Sequence, residues 1–512
     1  MSTWSCQSSV VSGAFHNIVE EKEKPWGKYD EPDRAENCCK HRGGICPCDY
    51  EAANSQGKAE VKGANKEATK QFPYEIHIRF LPSDIIPQHG RNSLTMILYI
   101  SDFDLSGSGY MRIGTRLCNE LVLNHDIGVI AIGLGYDRRE HPWPFSIAPC
   151  PNLQAVPIMV QRIKDYGAPI EAIVVALDIP LQESLLRAMN MPGDIPYIGI
   201  FPLEAGPLCM PWAMQLLRMD ARLIMSRFGQ RELELAGVDS EFVPIGIDDL
   251  SLWRPPTPGE RKEIRQGLGI DDDTFVITTV ADNQERKNLS GAAEIVADFS
   301  VEVLARDRAG LVTEKRDKRK VLWNLVTRID SPVGWKLDDL AMRLGIFDKM
   351  ALYNRGVPAK SLWSLFAAAD CFLLTSKAEG LALPVLEAMA CGLPVVATDC
   401  TAMREHLSGR GFLISPEYEY TDPFGNGTRY LASRDHGVGI LLALASDGAR
   451  FSTYQVEDAV DYVAARTWEG AGDILAQTVN RVAEEKGTRI GKSETADQAP
   501  EATIPEAVGA PA

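Results

Sequence analysis

The sequence predicts an α/β protein built from two doubly wound, parallel-sheet lobes with a cleft between them. Three observations point there: short apolar runs alternate with helically spaced segments, a Pro-rich break divides that alternation into two series, and each loop with unusual chemistry follows a predicted strand. With 512 residues, 45% hydrophobic and 24% charged, the chain can bury more than one core.

In the first series, Thr95 to Ile100 is an apolar run, Tyr110 to Leu123 carries apolar residues at helical spacing, and Ile127 to Ile132 is rich in β-branched residues. That is a βαβ unit, and so a parallel sheet. Ala172 to Ala176, Tyr197 to Ile200, Arg222 to Met225 and Glu241 to Pro244 supply further buried strands. After the break at Trp253 to Pro258, strands are predicted at Phe275 to Val280, Val321 to Val326, Ala351 to Tyr353, Cys371 to Thr375 and Pro394 to Thr398. Helices are predicted at Leu289 to Phe299, Leu337 to Leu344, Leu362 to Ala369 and Pro384 to Cys391. The expected organisation is an extension over 1–90 without persistent structure, a first lobe over 91–255, and a second over 256–450. Helices over 451–485 are expected to return to the first lobe, before an Ala-, Pro- and Glu-rich tail over 486–512.

A net charge of −17 repels phosphate backbones and anionic lipid on average, which disfavours nucleic acid and membrane surfaces as partners. No apolar run has the roughly 18 to 20 residues needed to span a bilayer, and Met1 to Phe15 lacks the basic start and apolar block of a secretion signal. A cytoplasmic location is expected. The 11 cysteines are an odd number, and Cys371, Cys391 and Cys400 fall in apolar strand or helix patterns that suit buried thiols. Cys38, Cys39, His41, Cys46 and Cys48 cluster without a Cys-x-x-Cys pair, a poor zinc spacing. Asp102 and Asp104 imitate a metal-binding pair but are read as caps of the loop that follows, so no metal is expected.

Residues 371–399 carry the chemistry. A buried strand ends at Ser376, and a loop holding Glu379 and Gly380 leads to a helix with Pro384 in its first turn, where a missing N–H costs nothing. Gly392 is a natural residue to end it. Ligands of such sheets bind beyond the carboxyl ends of the strands, and free N–H groups at a helix start favour an anion such as a diphosphate. Glu379 and Glu387 flank that anion site, an arrangement suited to accepting hydrogen bonds from hydroxyls on either side of a diphosphate. A buried βαβ unit with two solvated glutamates is the alternative reading.

Two glutamates separated by seven residues and followed by Ala388 to Ala397 resemble the signature of the retaining GT-B glycosyltransferases that use UDP- or GDP-sugars, the group 1 or family 4 enzymes. The resemblance implies that Glu379 contacts donor-sugar hydroxyls, that Glu387 contacts ribose hydroxyls, and that Gly380, Leu381, Ala382 and Leu383 line the donor site. Leu381 and Ala382 stand where the family commonly has Phe-Gly. Val280 to Leu289 is similar to the family loop whose lysine pairs with the donor phosphates, and Lys287 matches it. Asp282 stands near the place of the family's arginine, for which Arg286 is the candidate substitute; a solvated basic turn is the alternative. Asp104 to Leu117, with Gly107 and Gly109, matches the first-lobe loop facing the diphosphate, or else is a plain βα turn. Glu204, after the strand at Tyr197, is an acceptor-side candidate. Two further stretches, Met225 to Asp248 and Thr467 to Val479, resemble the family's interlobe passage and its C-terminal helix.

The implied activity is metal-independent transfer of a hexose-type sugar, with the nucleotide sugar as co-substrate and no other cofactor. The acceptor is a glycan, a lipid-linked molecule or a small molecule. An epimerase, a phosphorylase or a non-catalytic sugar-nucleotide binder would use the same fold and diphosphate site.

Overall fold

A computed structural model describes residues 95–104, 108–137, 142–191, 193–311 and 319–488, the side chains of 447–454 excepted. All of these fall in one compact unit, Phe80–Ala512. The expected extension with its Cys38–Cys48 cluster, Gly107, and the tail beyond 488 lie outside the described residues.

The first lobe runs β1 (Thr95–Asp102), α1 (Gly109–Asn124), β2 (Ile127–Leu134), β3 (Ser146–Cys150), α2 (Val156–Asp165), β4 (Ile170–Ala176), α3 (Ile179–Ala188), β5 (Tyr197–Phe201), α4 (Met210–Leu216), β6 (Ala221–Ile224), α5 (Arg227–Leu235) and β7 (Glu241–Phe242). Its sheet has the order β3-β2-β1-β4-β5-β6-β7, and every pairing is parallel. Ile97, Leu98, Tyr99 and Ile100 on β1 are all fully buried, as expected of a central strand covered by helices on both faces.

The second lobe runs α6 (Pro258–Gly267), β8 (Thr274–Val280), α7 (Leu289–Arg308), β9 (Lys320–Thr327), α8 (Leu337–Arg343), β10 (Met350–Asn354), α9 (Ala359–Ala368), β11 (Cys371–Leu374), α10 (Leu383–Ala390), β12 (Val395–Thr398), α11 (Thr401–Leu407) and β13 (Phe412–Ile414). Its parallel sheet is ordered β10-β9-β8-β11-β12-β13. An antiparallel hairpin follows, β14 (Pro416–Thr421) with β15 (Thr428–Ala432), then α12 (Arg434–Ala464) and α13 (Trp468–Lys486).

Local chemistry sets several boundaries. Ser108 caps α1 by accepting from the Met111 N–H at 3.0 Å. Thr257 and Glu260 close a reciprocal capping box around Pro258 at the start of α6. The second lobe is fastened at Asp370: Arg261 Nη2 lies 2.9 Å from its carboxylate, which also accepts from the Val276 N–H at 2.8 Å and so ties the turn before β11 to β8.

The return to the first lobe lies at 465–467, later than the expected 451. Helix α12 packs on α7 and α10 of the second lobe, and α13 alone packs on α1 and β4 of the first. Trp468 Nε1 donates to the Ile247 carbonyl at 2.8 Å, fixing the start of α13 beside the interlobe passage. An atom at the Cβ position of Gly246 would lie 2.6 Å from the Arg466 carbonyl oxygen, so the two interlobe crossings run in contact. Both sheets reverse strand order beside their first strand, between β1 and β4 and between β8 and β11. In an open α/β sheet that reversal opens a crevice at the carboxyl ends, and the two crevices face each other.

Candidate functional site

Loops from those carboxyl ends meet between the lobes. The turns after β11 and β12 are built on unusual backbone: Ala382 after β11 has φ +59° and Thr401 after β12 has φ +43°, both in the left-handed region that side chains with a Cβ seldom occupy. Thr401 Oγ1 accepts from the Glu379 N–H at 2.9 Å, and the Ala402 N–H donates to the Glu379 carbonyl at 3.2 Å. His406, fully buried, holds the next residue. Its Nε2–H donates to the Leu381 carbonyl at 2.7 Å, and its Nδ1 pairs with the Tyr462 hydroxyl at 3.0 Å. Burial, reinforced by Arg466, pushes the imidazole down to about 3, so it is neutral. Strain around Ala382 is therefore held by a buried hydrogen-bond frame.

Helix α10 begins at Leu383, with Pro384 second, one residue earlier than the sequence predicts. No side chain caps it. Its start faces that of α1, because an atom at the Cβ position of Gly109 would lie 3.6 Å from Leu383 Cδ1. Two helix N-termini, each carrying about half a positive charge, thus converge on one point. Gly380 is the closest approach: a Cβ there would lie 2.5 Å from Pro202 Cβ and 3.1 Å from the Leu203 carbonyl.

Glu379, 3% exposed, accepts from Lys287 Nζ at 2.6 Å and lies 3.0 Å from Arg286 Nη1. Arg286 Nη2 reaches across to Glu204 of the first lobe at 2.6 Å, and its Nη1 donates to the Ala378 carbonyl at 2.7 Å. Burial pushes the Glu379 carboxyl up, but Lys287 and Arg286 outweigh it and hold it at about 2. Burial and then Arg286 pull the Lys287 ammonium down. For Glu204, burial prevails over Arg286 and raises the carboxyl.

Glu387, one turn into α10 and 1% exposed, pairs with Arg112 of α1. Burial raises its carboxyl even against Arg112. Arg112 Nε lies 3.6 Å from Asp248, which Arg116 holds at 2.9 Å. Arg355 and Asp104 add another interlobe pair at 3.0 Å. Asp282 turns from the cluster to Arg328 at 3.1 Å and accepts from Gln284, leaving Arg286 as the cation beside Lys287.

The structure thus brings together Glu379, Lys287, Arg286, Gly380, Leu381, Ala382, Leu383, Glu387 and Gly109 around one cleft. Sequence reasoning missed Arg112, Asp178 and Tyr110, whose hydroxyl donates to Asp178 at 2.6 Å. Arg112 was legible as a cation one turn past the Gly-rich loop; Asp178 required knowing that β4 borders the switch point. Asp102 accepts from the Asp104 N–H at 2.9 Å, the expected turn cap. Among the described residues no group of three His, Cys, Asp or Glu side chains is placed to hold a metal ion, and no helix is long and apolar enough to cross a membrane.

Residues 260–420 match the model of the glycosyl transferases group 1 family. A D-inositol 3-phosphate glycosyltransferase of Gordonia bronchialis is 29% identical over 241 residues, 42% of this chain and 49% of that protein. An O-antigen chain mannosyltransferase B of Escherichia coli is 32% identical over 133 residues, 26% of this chain and 31% of that one. The matches therefore span half or less of these relatives' length. Among solved structures, sucrose-phosphate synthase of Thermosynechococcus elongatus superposes with a TM-score of 0.59 at 15% identity, covering 76% of this chain and 100% of that one. Anabaena HepE in complex with UDP and glucose gives 0.52 at 16% identity, covering 76% and 100%. The strand order, the facing crevices and the superpositions converge on the GT-B fold, and the lobe that carries Glu379 and Glu387 is similar to the glycosyl transferases group 1 family over residues 260–420.

Proposed function

We propose that the protein is a retaining glycosyltransferase that moves a hexose-type sugar from a UDP- or GDP-sugar to a hydroxyl acceptor without a divalent metal. The observation that carries this reading is the cluster of Glu379, Lys287 and Arg286 beside the start of α10, inside a cleft bounded by both lobes. The family match and the glycosyltransferase names of the curated relatives support it.

In this reading the donor diphosphate lies against the starts of α1 and α10, with Lys287 and Arg286 on its oxygens. Glu379 takes hydrogen bonds from the sugar hydroxyls. Glu387 exchanges Arg112 for the ribose hydroxyls, and Arg112 remains beside the diphosphate. As the bond from the anomeric carbon to the phosphate oxygen breaks, negative charge grows where fixed N–H dipoles and two cations already point, so little reorganisation is needed. The acceptor oxygen bonds to the anomeric carbon from the same face, and its proton passes to the departing diphosphate oxygen. Closure of the lobes excludes water that would hydrolyse the donor.

Asp282, standing where a cation is expected, favours a second reading as a sugar-nucleotide binder without turnover. A thermal-shift screen against UDP-, GDP- and ADP-sugars tests the first step, since a true donor stabilises the folded protein by mass action, by about 2.7 kcal/mol at a hundred times Kd. With the donor in hand, NMR of the product's anomeric proton, with and without EDTA, tests retention and metal independence. No shift with any nucleotide sugar, or an inverted product, contradicts the proposal; binding without transfer over a broad acceptor panel supports the second reading.

A further inference from the structure

A largely buried polar chain runs from the second interlobe crossing to the turn that begins α10. Arg466, 8% exposed, stands between α12 and α13, where its carbonyl meets Gly246 of the first crossing. Its Nη2 donates to the Tyr462 hydroxyl and lies 3.2 Å from Glu405 Oε1. Glu405 Oε2 accepts from the Phe228 N–H at 2.9 Å, at the start of α5 in the first lobe. The next residue of α11 is His406, which joins the Tyr462 hydroxyl to the Leu381 carbonyl. Of two neighbours on one short helix, Glu405 therefore takes its position from the first lobe and His406 holds the turn. Donors and acceptors along the chain fit in one order. The Leu381 carbonyl has no proton to give, so His406 Nε2 carries one. A neutral imidazole has a single N–H, which leaves Nδ1 to accept from the Tyr462 O–H; the hydroxyl oxygen then accepts from Arg466, whose guanidinium only donates.

We propose that Tyr462 and Arg466 are positioning residues for the nucleotide site, setting the turn at Leu381–Leu383 according to how the lobes are placed. The turn needs an outside hold: Ala382 sits at φ +59°, and the carbonyl of the residue before it is the one His406 takes. Tyr462 is the member of the chain that must both accept and donate, and the arginine's charge at the far end strengthens each bond by polarising the next. Arg466 also lies over the Phe242 ring of the first lobe, 5.6 Å from its centroid, so it is anchored on both sides of the crossing. A change in lobe placement shifts Phe228 and Phe242 against Glu405 and Arg466, and the chain carries that shift to Leu381. The coupling is reciprocal: a nucleotide that requires this turn geometry favours the lobe placement that supports it.

That the turn binds a nucleotide rests on the glycosyltransferase reading; that Tyr462 and Arg466 set its geometry does not. The test compares the full-length wild type with Tyr462→Phe, which keeps the ring that Arg410 and Arg466 approach at 4.1 and 4.7 Å, and with Arg466→Lys, which keeps a charge beside Glu405. The chain has 8 histidines, few enough for selective 15N labelling, and the His406 signals are those missing from His406→Gln. In the wild type the His406 ring is expected to be the Nε2–H tautomer, and in Tyr462→Phe its Nδ1 resonance to move. Hydrogen–deuterium exchange over 379–390 is expected to quicken by about tenfold in both variants, while β1 and β8 exchange as in the wild type. Affinity for UDP or GDP, measured by calorimetry, falls about fivefold or more. A merely structural role would lower the unfolding midpoint and leave the turn's exchange or the nucleotide affinity at wild-type values; that result, or an Nδ1–H tautomer in the wild type, overturns the proposal. Either variant decides the matter alone should the other fail to fold. Faster exchange at the turn in the variants, with neither UDP nor GDP bound by the wild type, would uphold the positioning role and defeat the proposed activity instead.

Discussion

Glu379 is ionised where burial alone would neutralise it, and the two cations that hold it so are themselves largely buried. Removing one member of such a set strands the others. Glu379→Ala is therefore expected to cut turnover more than donor affinity, whereas Glu387→Ala weakens donor binding by about 1–3 kcal/mol through loss of a charge-assisted hydrogen bond. Calorimetry and initial rates separate the two, and wild-type values in either variant would remove that residue from the site. His406 gives a pH signature. Its folded pKa of about 3 lies below the ordinary 6.5, so the unfolded chain gains a proton first as pH falls. Its contribution is full above pH 6.5 and shrinks from there towards pH 3, at about 1.4 kcal/mol per unit. Urea midpoints at pH 7.5 and 5.0 should show a steeper loss in the wild type than in His406→Gln; equal slopes would refute the assignment.

At the scale of elements, the turn from Glu379 to Leu383 matters more than any one side chain in it. Gly380→Ala places a methyl carbon 2.5 Å from Pro202 Cβ, and the clash can be relieved only by parting the lobes. That variant should keep its unfolding midpoint within a few degrees while its donor KM rises at least tenfold; an unchanged KM would show that closure is not required. The same turn was the most legible part of the sequence, because a short buried strand, ending at Leu374 rather than the expected Ser376, a glycine, a helix-initiating proline and Gly392 are punctuation that local sterics enforce. Other elements were hidden for equally local reasons. Pro149 interrupts β3, and β7 has only two residues, too few to show a period. The hairpin did carry a signal, alternating Tyr418 and Tyr420 before the turn through Gly425, Asn426 and Gly427. Its polar composition gave no reason to place it against the first lobe, where the Thr428 N–H donates to the Gly206 carbonyl. Contacts such as Arg112 with Glu387, 275 residues apart, are set by how the lobes meet, which no local pattern encodes.

For the molecule as a whole, three ion pairs join the lobes alongside a buried apolar cluster that runs through both: Arg112 with Glu387, Arg286 with Glu204, and Arg355 with Asp104. Charge reversal at the most buried of these should be costly. Arg112→Glu leaves the buried Glu387 facing a like charge, with an expected loss of about 3–5 kcal/mol measured by denaturant unfolding. A loss below about 1 kcal/mol would mean that the lobes already part freely in solution.

Helix α13 has a consequence for biosynthesis. It covers α1 and β4, yet it is made after the entire second lobe. A nascent chain must therefore hold the earliest-translated half with an apolar flank uncovered until the ribosome has passed Lys486, so maturation runs against the order of synthesis. Premature termination between Ala464 and Lys486 would injure the first lobe, translated well before it.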